Sequence, residues 1–480
     1  MSERLDVDIC VIGAGSGGLS VAAGASQLGQ KTVLCERSLM GGDCLNYGCV
    51  PSKSLIAAAR AATGMREAGR FGVRAAEPQV DHASVREHVR SVIAAIAPND
   101  SVERFTGLGV KVIQASAAFI SPDELRCGEY TIKARRFVIA TGSSAAVPPI
   151  PGLAKEHGGE GVPFLTNETV FDLTERPRHL IVIGGGPIGC ELAQAHRRLG
   201  AEVTVIEALP SILSKDDPEL ADFVRRRMRH DGVRLLEGVK VLRVEGRAGD
   251  LAVIVDQGGE QRIAGSHLLV ATGRRANVKD LNLEAAGVKY SPKGIEVDAH
   301  LRTPNRRIYA IGDVAGAYQF THIAGYHAGI VIRHALFRLP AKVDYRAVPW
   351  VTYTAPELAN VGLTEAEAKK SGETLRILRW PFHENDRAQA ERETEGLVKI
   401  VATRGGRVLG AGIVGPHAGE LIQLWSLVIS KRLKLGDVAN LILPYPTLGE
   451  VNKRAAGSFF THKLFSPFTR KLARFLGKFG

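Results

Sequence analysis

An α/β protein with two similar βαβ units and a mixed α+β region after them is the fold class this sequence predicts, on three observations. The apolar run VDICVIGAGSGG at 7–18 enters Gly13-x-Gly15-x-x-Gly18, and a helical stretch and a second strand ending in Glu36 follow it. The run RHLIVIGGGPIG at 178–189 repeats this with Gly184-x-Gly186-x-x-Gly189, the helix ELAQAHRRLG and the strand AEVTVIE ending in Glu207. Gly13 to Gly184 and Glu36 to Glu207 are each 171 residues apart. From about 346 the pattern changes to mixed strand and helix, as in PWVTYTAPELANVGLTEAEA, GLVKIV and VLGAGIVGP. A strand, a Gly turn, a helix and a carboxylate closing the next strand form the context the dinucleotide fingerprint requires, so both units read as Rossmann-like dinucleotide-binding domains.

The first Gly of each motif allows a tight turn, the second lets a pyrophosphate approach the backbone, and the third lets helix and strand pack closely. The helix N-terminus then offers free N–H groups and a positive dipole to the phosphates. Glu36 and Glu207 are placed to accept a hydrogen bond from a ribose 2′-hydroxyl, where a 2′-phosphate would meet like charge. No Lys or Arg follows Glu207 until Lys215, which favours NADH over NADPH at the second site. The alternative reading of Glu207 is a solvated strand end.

Between the repeats, GGDCLNYGCVPSK at 41–53 sets Cys44 and Cys49 five residues apart, with Lys53 one helical turn beyond. In an ideal helix the two Cα atoms would lie roughly 8–9 Å apart, beyond the ~7 Å limit of a disulfide. Bridging them needs a distorted turn, which Gly48 and Pro51 permit. A disulfide held there is strained and reducible, as a catalytic one should be. Zinc ligation lacks a second Cys or Cys/His pair at ligand spacing, and no metal site is expected. Two inert buried thiols are the remaining alternative. Cys10, Cys35, Cys127 and Cys190 lie in or beside apolar runs and read as small core hydrophobes.

Composition excludes other classes. At 45% hydrophobic and 23% charged the chain is too apolar for disorder, and its 480 residues suggest about three domains. No stretch approaches the roughly 18 apolar residues of a membrane span, and MSERLDVDIC is too acidic for a secretory signal, so a cytoplasmic protein is expected. Six Cys cannot be a disulfide scaffold. The net charge of +12 invites a nucleic-acid partner, but the basic cluster RRRMRH at 225–230 fits the solvent face of a helix. The second cluster, in the last 18 residues, has no interleaved base-reading motif, so no nucleic acid is expected.

GGDCLNYGCVPSK, the two Gly motifs, ATGSS at 140–144, ATGRRAN at 271–277 and YAIGDV at 309–314 together resemble the FAD-dependent pyridine nucleotide-disulfide oxidoreductases, colinearly from about residue 5 to about 456. That family includes dihydrolipoamide dehydrogenase, glutathione reductase and mercuric reductase. The resemblance implies that the first Gly motif and Glu36 bind the ADP half of FAD. It places Ala117 beside the adenine, Asp313 on the ribityl chain, and the helix opening at Thr321 and His322 towards the flavin's pyrimidine oxygen. It adds Gly42, Lys53, Thr141, Gly142, Thr321 and Gly273 to the cofactor-binding residues and gives the second Gly motif to nicotinamide dinucleotide. It pairs Lys53 with Glu191 near the flavin's reactive nitrogen. It makes Cys49 the thiolate next to the flavin and Cys44 the thiol that exchanges with a small-molecule or protein disulfide.

The family's disulfide reductases use a His before a Pro as acid–base, backed by a Glu and supplied by the partner subunit. Here the string is PYPTLGE at 444–450, with Tyr445 at the His position and Glu450 at the supporting one. A Tyr with a pKa near 10 is a poor base at neutral pH. Mercuric reductases share a Tyr at that point, yet they carry a Cys pair near the C-terminus, and the last Cys here is Cys190. The expectation is therefore a dihydrolipoamide-dehydrogenase-like NADH enzyme, with a metal-ion reductase as the alternative. His383, His417 and His462 are other candidate bases, none of them singled out.

The expected domains are an FAD-binding domain at 1–150 completed by 277–345, an NAD(P)-binding domain at 151–276, an interface domain at 346–460 that forms a homodimer, and a basic tail at 461–480. In that tail Ser466 and Pro467 make a helix start. Phe468, Leu472, Phe475, Leu476 and Phe479 then share one face, and Arg470, Lys471, Arg474 and Lys478 take the other. Such a helix suits either an anionic membrane surface, through 466–479, or the enzyme's own dimer.

Overall fold

The computed structural model describes residues 3–154 and 160–479, which divide into two compact units. The first comprises residues 3–154, 160–185, 195–208 and 239–343; the second comprises 186–194, 209–238 and 344–479.

In the first unit, strand β1 (Glu3–Ile12) leads through the first Gly turn into helix α1 (Ser16–Gln27) and strand β2 (Thr32–Glu36). Helices α2 (Gly42–Asn46) and α3 (Cys49–Glu67), strand β3 (Val110–Gln114) and strand β4 (Tyr130–Ile139) follow. The strands lie side by side in the order β3-β2-β1-β4, all parallel, with Ile12 opposite Cys35 and Ile139. Beyond β4 lie the hairpin Ala117–Ser121/Glu124–Cys127 and the short strand Ile308–Ala310. A parallel sheet is covered on both faces and so reads as a continuous apolar run. Accordingly Ile9 and Val11 enter the core that holds α1, while Cys10 and Ile12 enter the opposite one with Phe119 and Phe137. The repeat follows as β5 (His179–Ile183) and β6 (Glu202–Glu207), and β7 (His267–Val270) pairs in parallel with β5 on the side away from β6; of the helix between β5 and β6, α4 (Pro187–Arg198), residues 187–194 belong to the second unit. Helix α5 (Thr321–Ala335) packs on α1.

In the second unit, strands β8 (Pro349–Thr352), β9 (Glu357–Gly362), β10 (Leu375–Pro381), β11 (Leu397–Thr403) and β12 (Val408–Gly415) form an antiparallel sheet in the order β8-β9-β12-β11-β10. Its core holds Phe382 and Trp425, whose indole N–H donates to Asn452 Oδ1 at 2.8 Å. Helices α6 (Glu450–Leu464) and α7 (Pro467–Leu476) close the unit. The RRRMRH cluster lies on helix Pro218–His230, where Met228 is buried. Its arginines are paired: Arg225 and Arg226 with Asp222, Arg227 with Asp231, and Arg229 with Glu237. Among the described residues no helix is long and apolar enough to cross a membrane.

Candidate functional site

The first Gly turn has the form its motif requires. Gly13 takes φ +104°, and a Cβ there would lie 2.5 Å from the Ala140 carbonyl oxygen. A Cβ on Gly18 would lie 1.9 Å from the Gly13 carbonyl oxygen, so the third glycine lets α1 pack against the strand end. Gly15, by contrast, faces open space, and no side chain caps α1, which leaves its first-turn N–H groups available. The buried Glu36 carboxylate accepts from Ala14 N–H at 2.6 Å and Ser38 N–H at 2.7 Å. Gly42 sits against Gly15. An open second glycine, an uncapped helix start and a strand-end carboxylate fit a dinucleotide phosphate, and FAD supplies two-electron transfer when bound. Gly13, Gly15, Gly18, Glu36 and Gly42 would hold its ADP half.

Further round, Thr141 Oγ1 donates to the Asn277 carbonyl at 2.8 Å, and Gly142 takes φ +67°. Ala117 is buried at the start of the Ala117–Ser121 strand. Ser143 Oγ donates to Asp313 Oδ2 at 2.5 Å. Burial pushes the Asp313 carboxyl above its ordinary pKa, and the Ser143 hydrogen bond works against that. Arg274 reaches Ser143 Oγ and its carbonyl at 2.7 Å each and Asp43 at 3.1 Å. Asp43 also accepts from Asn167 Nδ2 at 3.0 Å. Asp43 stands next to Cys44 in the motif and Arg274 lies in ATGRRAN, yet the sequence carries no signal that links them.

The Cys motif breaks into two helices. Cys44 lies in α2, Gly48 makes the turn at φ −122°, ψ −104°, and Cys49 opens α3 with Pro51 in its first turn. Both cysteines are thiols, Cys44 half-buried and Cys49 exposed. Cys49 Sγ lies 3.3 Å from Thr321 Oγ1 at the start of α5. The hydrogen bond from Cys44 lowers the Cys49 pKa to about 6, with help from Thr321 and the Lys53 charge. The same hydrogen bond pushes Cys44 up. Cys49 is thus the more acidic thiol of the two. Lys53 Nζ donates to Ser52 Oγ at 3.3 Å.

At the second Gly turn, Gly184 repeats the Gly13 conformation at φ +114°, and Glu207 Oε2 accepts from Gly185 N–H at 2.6 Å. Gly273 takes φ +145° with open space beyond it. Gly186 faces open space before α4, and Gly189 is buried in that helix. Gly184 and Glu207 repeat the arrangement of Gly13 and Glu36 and fit a second dinucleotide, which supplies hydride when bound.

Glu191 belongs to the second unit, buried, with Oε1 accepting from Tyr353 N–H at 2.9 Å. Tyr445 is exposed and its hydroxyl donates to Asp386 Oδ2 at 2.9 Å. That hydrogen bond raises its pKa above the ordinary 10, and the charge of Glu450, the first residue of α6, adds to the effect. Asp386 stands 59 residues from Tyr445, and no local pattern marks it. Cys10, Cys35 and Cys127 pack together in the first unit's core, and Cys190 is buried.

The pyridine nucleotide-disulphide oxidoreductase family matches residues 7–328, and its dimerisation domain matches 348–456. The chain belongs to this family. Its relatives include the mercuric reductase of Streptomyces lividans, 35% identical over 462 residues that cover 94% of this chain and 96% of that one. The dihydrolipoyl dehydrogenase of Thermus scotoductus is 37% identical over 461 residues, covering 94% and 96%. Among solved structures, the Cu(II) complex of the HOCl-induced flavoprotein disulfide reductase RclA from Escherichia coli superposes with a TM-score of 0.83 at 26% identity, covering 93% of this chain and 99% of that one. Members of the family are flavoprotein oxidoreductases that use FAD, a pyridine nucleotide and a redox-active disulfide, and the dimerisation domain supports a homodimer.

Proposed function

We propose that this oxidoreductase takes hydride equivalents from NADH at the second Gly turn and delivers two electrons to the Cys44–Cys49 pair. The observation that carries the reading is the Cys44–Cys49 pair set at the break between α2 and α3, with Cys49 Sγ 3.3 Å from Thr321 Oγ1. Two electrons and one proton convert the disulfide into a Cys49 thiolate and a Cys44 thiol, a division supported by the lowered pKa of Cys49 and the raised pKa of Cys44. With a disulfide substrate, Cys44 loses its proton and attacks one sulfur, which expels the other as thiolate. Cys49 then attacks the Cys44 sulfur, re-forms the internal disulfide and expels the second sulfur as thiolate, and the proton that Cys44 lost is left for one of the two product thiolates. The preference for NADH rests on Glu207, whose charge repels a 2′-phosphate.

A second acceptor class is favoured by Tyr445. Its phenol is bound to Asp386 and held protonated, so it cannot take the Cys44 proton. A soft metal ion needs no such base, because it displaces the thiol proton directly on binding sulfur. The relatives named mercuric reductase support this second reading.

Anaerobic titration with NADH, followed by lipoamide, glutathione disulfide, Hg(II) and Cu(II) in turn, tests both. Reoxidation by a disulfide at rates above those with the metals supports the first reading. Reoxidation by a metal alone supports the second. A Cys44→Ser, Cys49→Ser double variant that turns over every acceptor at the wild-type rate overturns both.

A further inference from the structure

Helix α7 is a start-to-finish amphipathic segment. The Ser466 hydroxyl accepts from Thr469 N–H at 3.2 Å and Pro467 occupies the first turn. Phe468, Leu472, Phe475 and Leu476, with Phe479 just beyond, form one stripe, and all five are exposed, Phe468 and Phe479 at about three-quarters of their surface. The preceding Phe460, Leu464 and Phe465 are exposed as well. Arg470, Lys471, Arg474 and Lys478 take the other side. None of these four has an ion-pair partner among the described residues, and no Asp or Glu follows Glu450 in the sequence. The contrast with RRRMRH is informative, because there the arginines find carboxylates within the same unit.

We propose that α7 is a docking element for an anionic lipid bilayer, lying in the interface with its aromatic stripe in the acyl boundary and its cations at the phosphates. Ten residues of helix extend ~15 Å, about half the hydrocarbon thickness, so the segment lies on the surface and does not cross it. The occupant must bury a stripe of Phe and Leu and neutralise four cations flanking it, and an anionic bilayer does both at once. A second copy of the chain is the poorer match. The family's dimerisation match ends at residue 456, ten residues before the Ser466 cap. Such a copy would also have to bring carboxylates to the four cations. A homodimer would carry two such helices, and joint engagement raises the apparent affinity without new contacts.

Cosedimentation of the FAD-loaded protein with phosphatidylglycerol–phosphatidylcholine vesicles and with pure phosphatidylcholine vesicles is the test. The full chain is expected to partition onto the anionic vesicles and to leave them as salt rises. A chain ending at Phe465 and the full chain with R470E, K471E and R474E are each expected to lose at least ~tenfold in partitioning with flavin content unchanged. Should the shortened chain fail to fold, the charge-reversed full chain decides. Equal sedimentation of wild type and charge-reversed protein overturns the proposal, as does equal binding to neutral vesicles. Weaker self-association of the shortened chain in analytical ultracentrifugation, with no vesicle binding by the full chain, assigns α7 to a second copy and overturns it too.

Discussion

At Cys49 three groups act on one sulfur: the Cys44 thiol, the Thr321 hydroxyl and the Lys53 charge, all stabilising the thiolate. A thiolate with a pKa of about 6 is present above that pH and lost as pH falls through it. Two-electron-reduced enzyme is therefore expected to show a long-wavelength absorbance from thiolate next to oxidised flavin, constant at pH 8 and half lost near pH 6. Cys49→Ser abolishes the band, Cys44→Ser keeps it, and Cys44→Ala, which removes the principal hydrogen bond, moves the midpoint upward. A pH-independent band in the wild type contradicts the assignment. Tyr445 is the complementary case, a proton donor where exchange needs an acceptor. Positioned acid–base groups contribute ~10²–10⁴-fold, so Tyr445→His should raise turnover of a small disulfide at least ~tenfold near neutral pH. Fast lipoamide turnover by the wild type would show that another group takes the proton. Glu207→Arg should shift the NADPH/NADH ratio of kcat/KM by about tenfold or more towards NADPH, or ~1.4 kcal/mol. A wild type that prefers NADPH refutes the role of that carboxylate.

Helix α1 depends on a glycine where any other residue collides. A methyl group on Gly18 would lie 1.9 Å from a backbone oxygen that has no room to retreat, because Gly13 is itself packed on Ala140. Gly18→Ala should therefore displace α1 from β1, cost ~1–3 kcal/mol or more, and lower bound flavin after purification. Its measure is the ratio of flavin absorbance to protein, with Gly15→Ala as the partner variant, since a methyl there enters open space and would act only by obstructing the phosphates. Elements of this kind were legible in the sequence because their signals are local: the Gly spacing, the carboxylate closing the next strand, the break at Gly48 and the Ser466 cap each lie within a few residues of what they organise. The Tyr445–Asp386 bond and the Arg274–Asp43 link were not, since each joins segments far apart in sequence and neither leaves a periodicity. The second unit's makeup, in which 186–194 and 209–238 join 344–479, was hidden for the same reason.

That composite unit holds its sequence-distant pieces together through a buried charge. Lys399 on β11 is 5% exposed, and its ammonium lies 2.8 Å from Asp217, 2.9 Å from Glu219 and 2.9 Å from Glu365. Asp217 also caps helix Pro218–His230, so one cation secures the start of that helix against the sheet. Glu219 and Glu365 retain Arg379 and Lys369 without Lys399, whereas the buried Asp217 would lose its hydrogen-bonded ammonium and keep only the charge of Arg379 acting on it. Breaking a buried pair from one side costs ~3–5 kcal/mol, so Lys399→Met should lower the thermal midpoint of the second unit by several degrees. The acid side follows from the carboxylates. Glu365 is lowered from its ordinary 4.5 to about 2, chiefly by Lys369 and then Lys399, and Glu219 is lowered by Arg379 and Lys399. A depressed carboxyl stabilises the fold above its unfolded pKa and loses that contribution as pH falls through its folded one. The wild type should thus lose stability between about pH 4.5 and about pH 2, and Lys399→Met should show a shallower loss across that window. Calorimetric midpoints of the two proteins from pH 7 down to pH 3 measure it. Parallel curves would mean that Lys399 does not couple to these carboxylates.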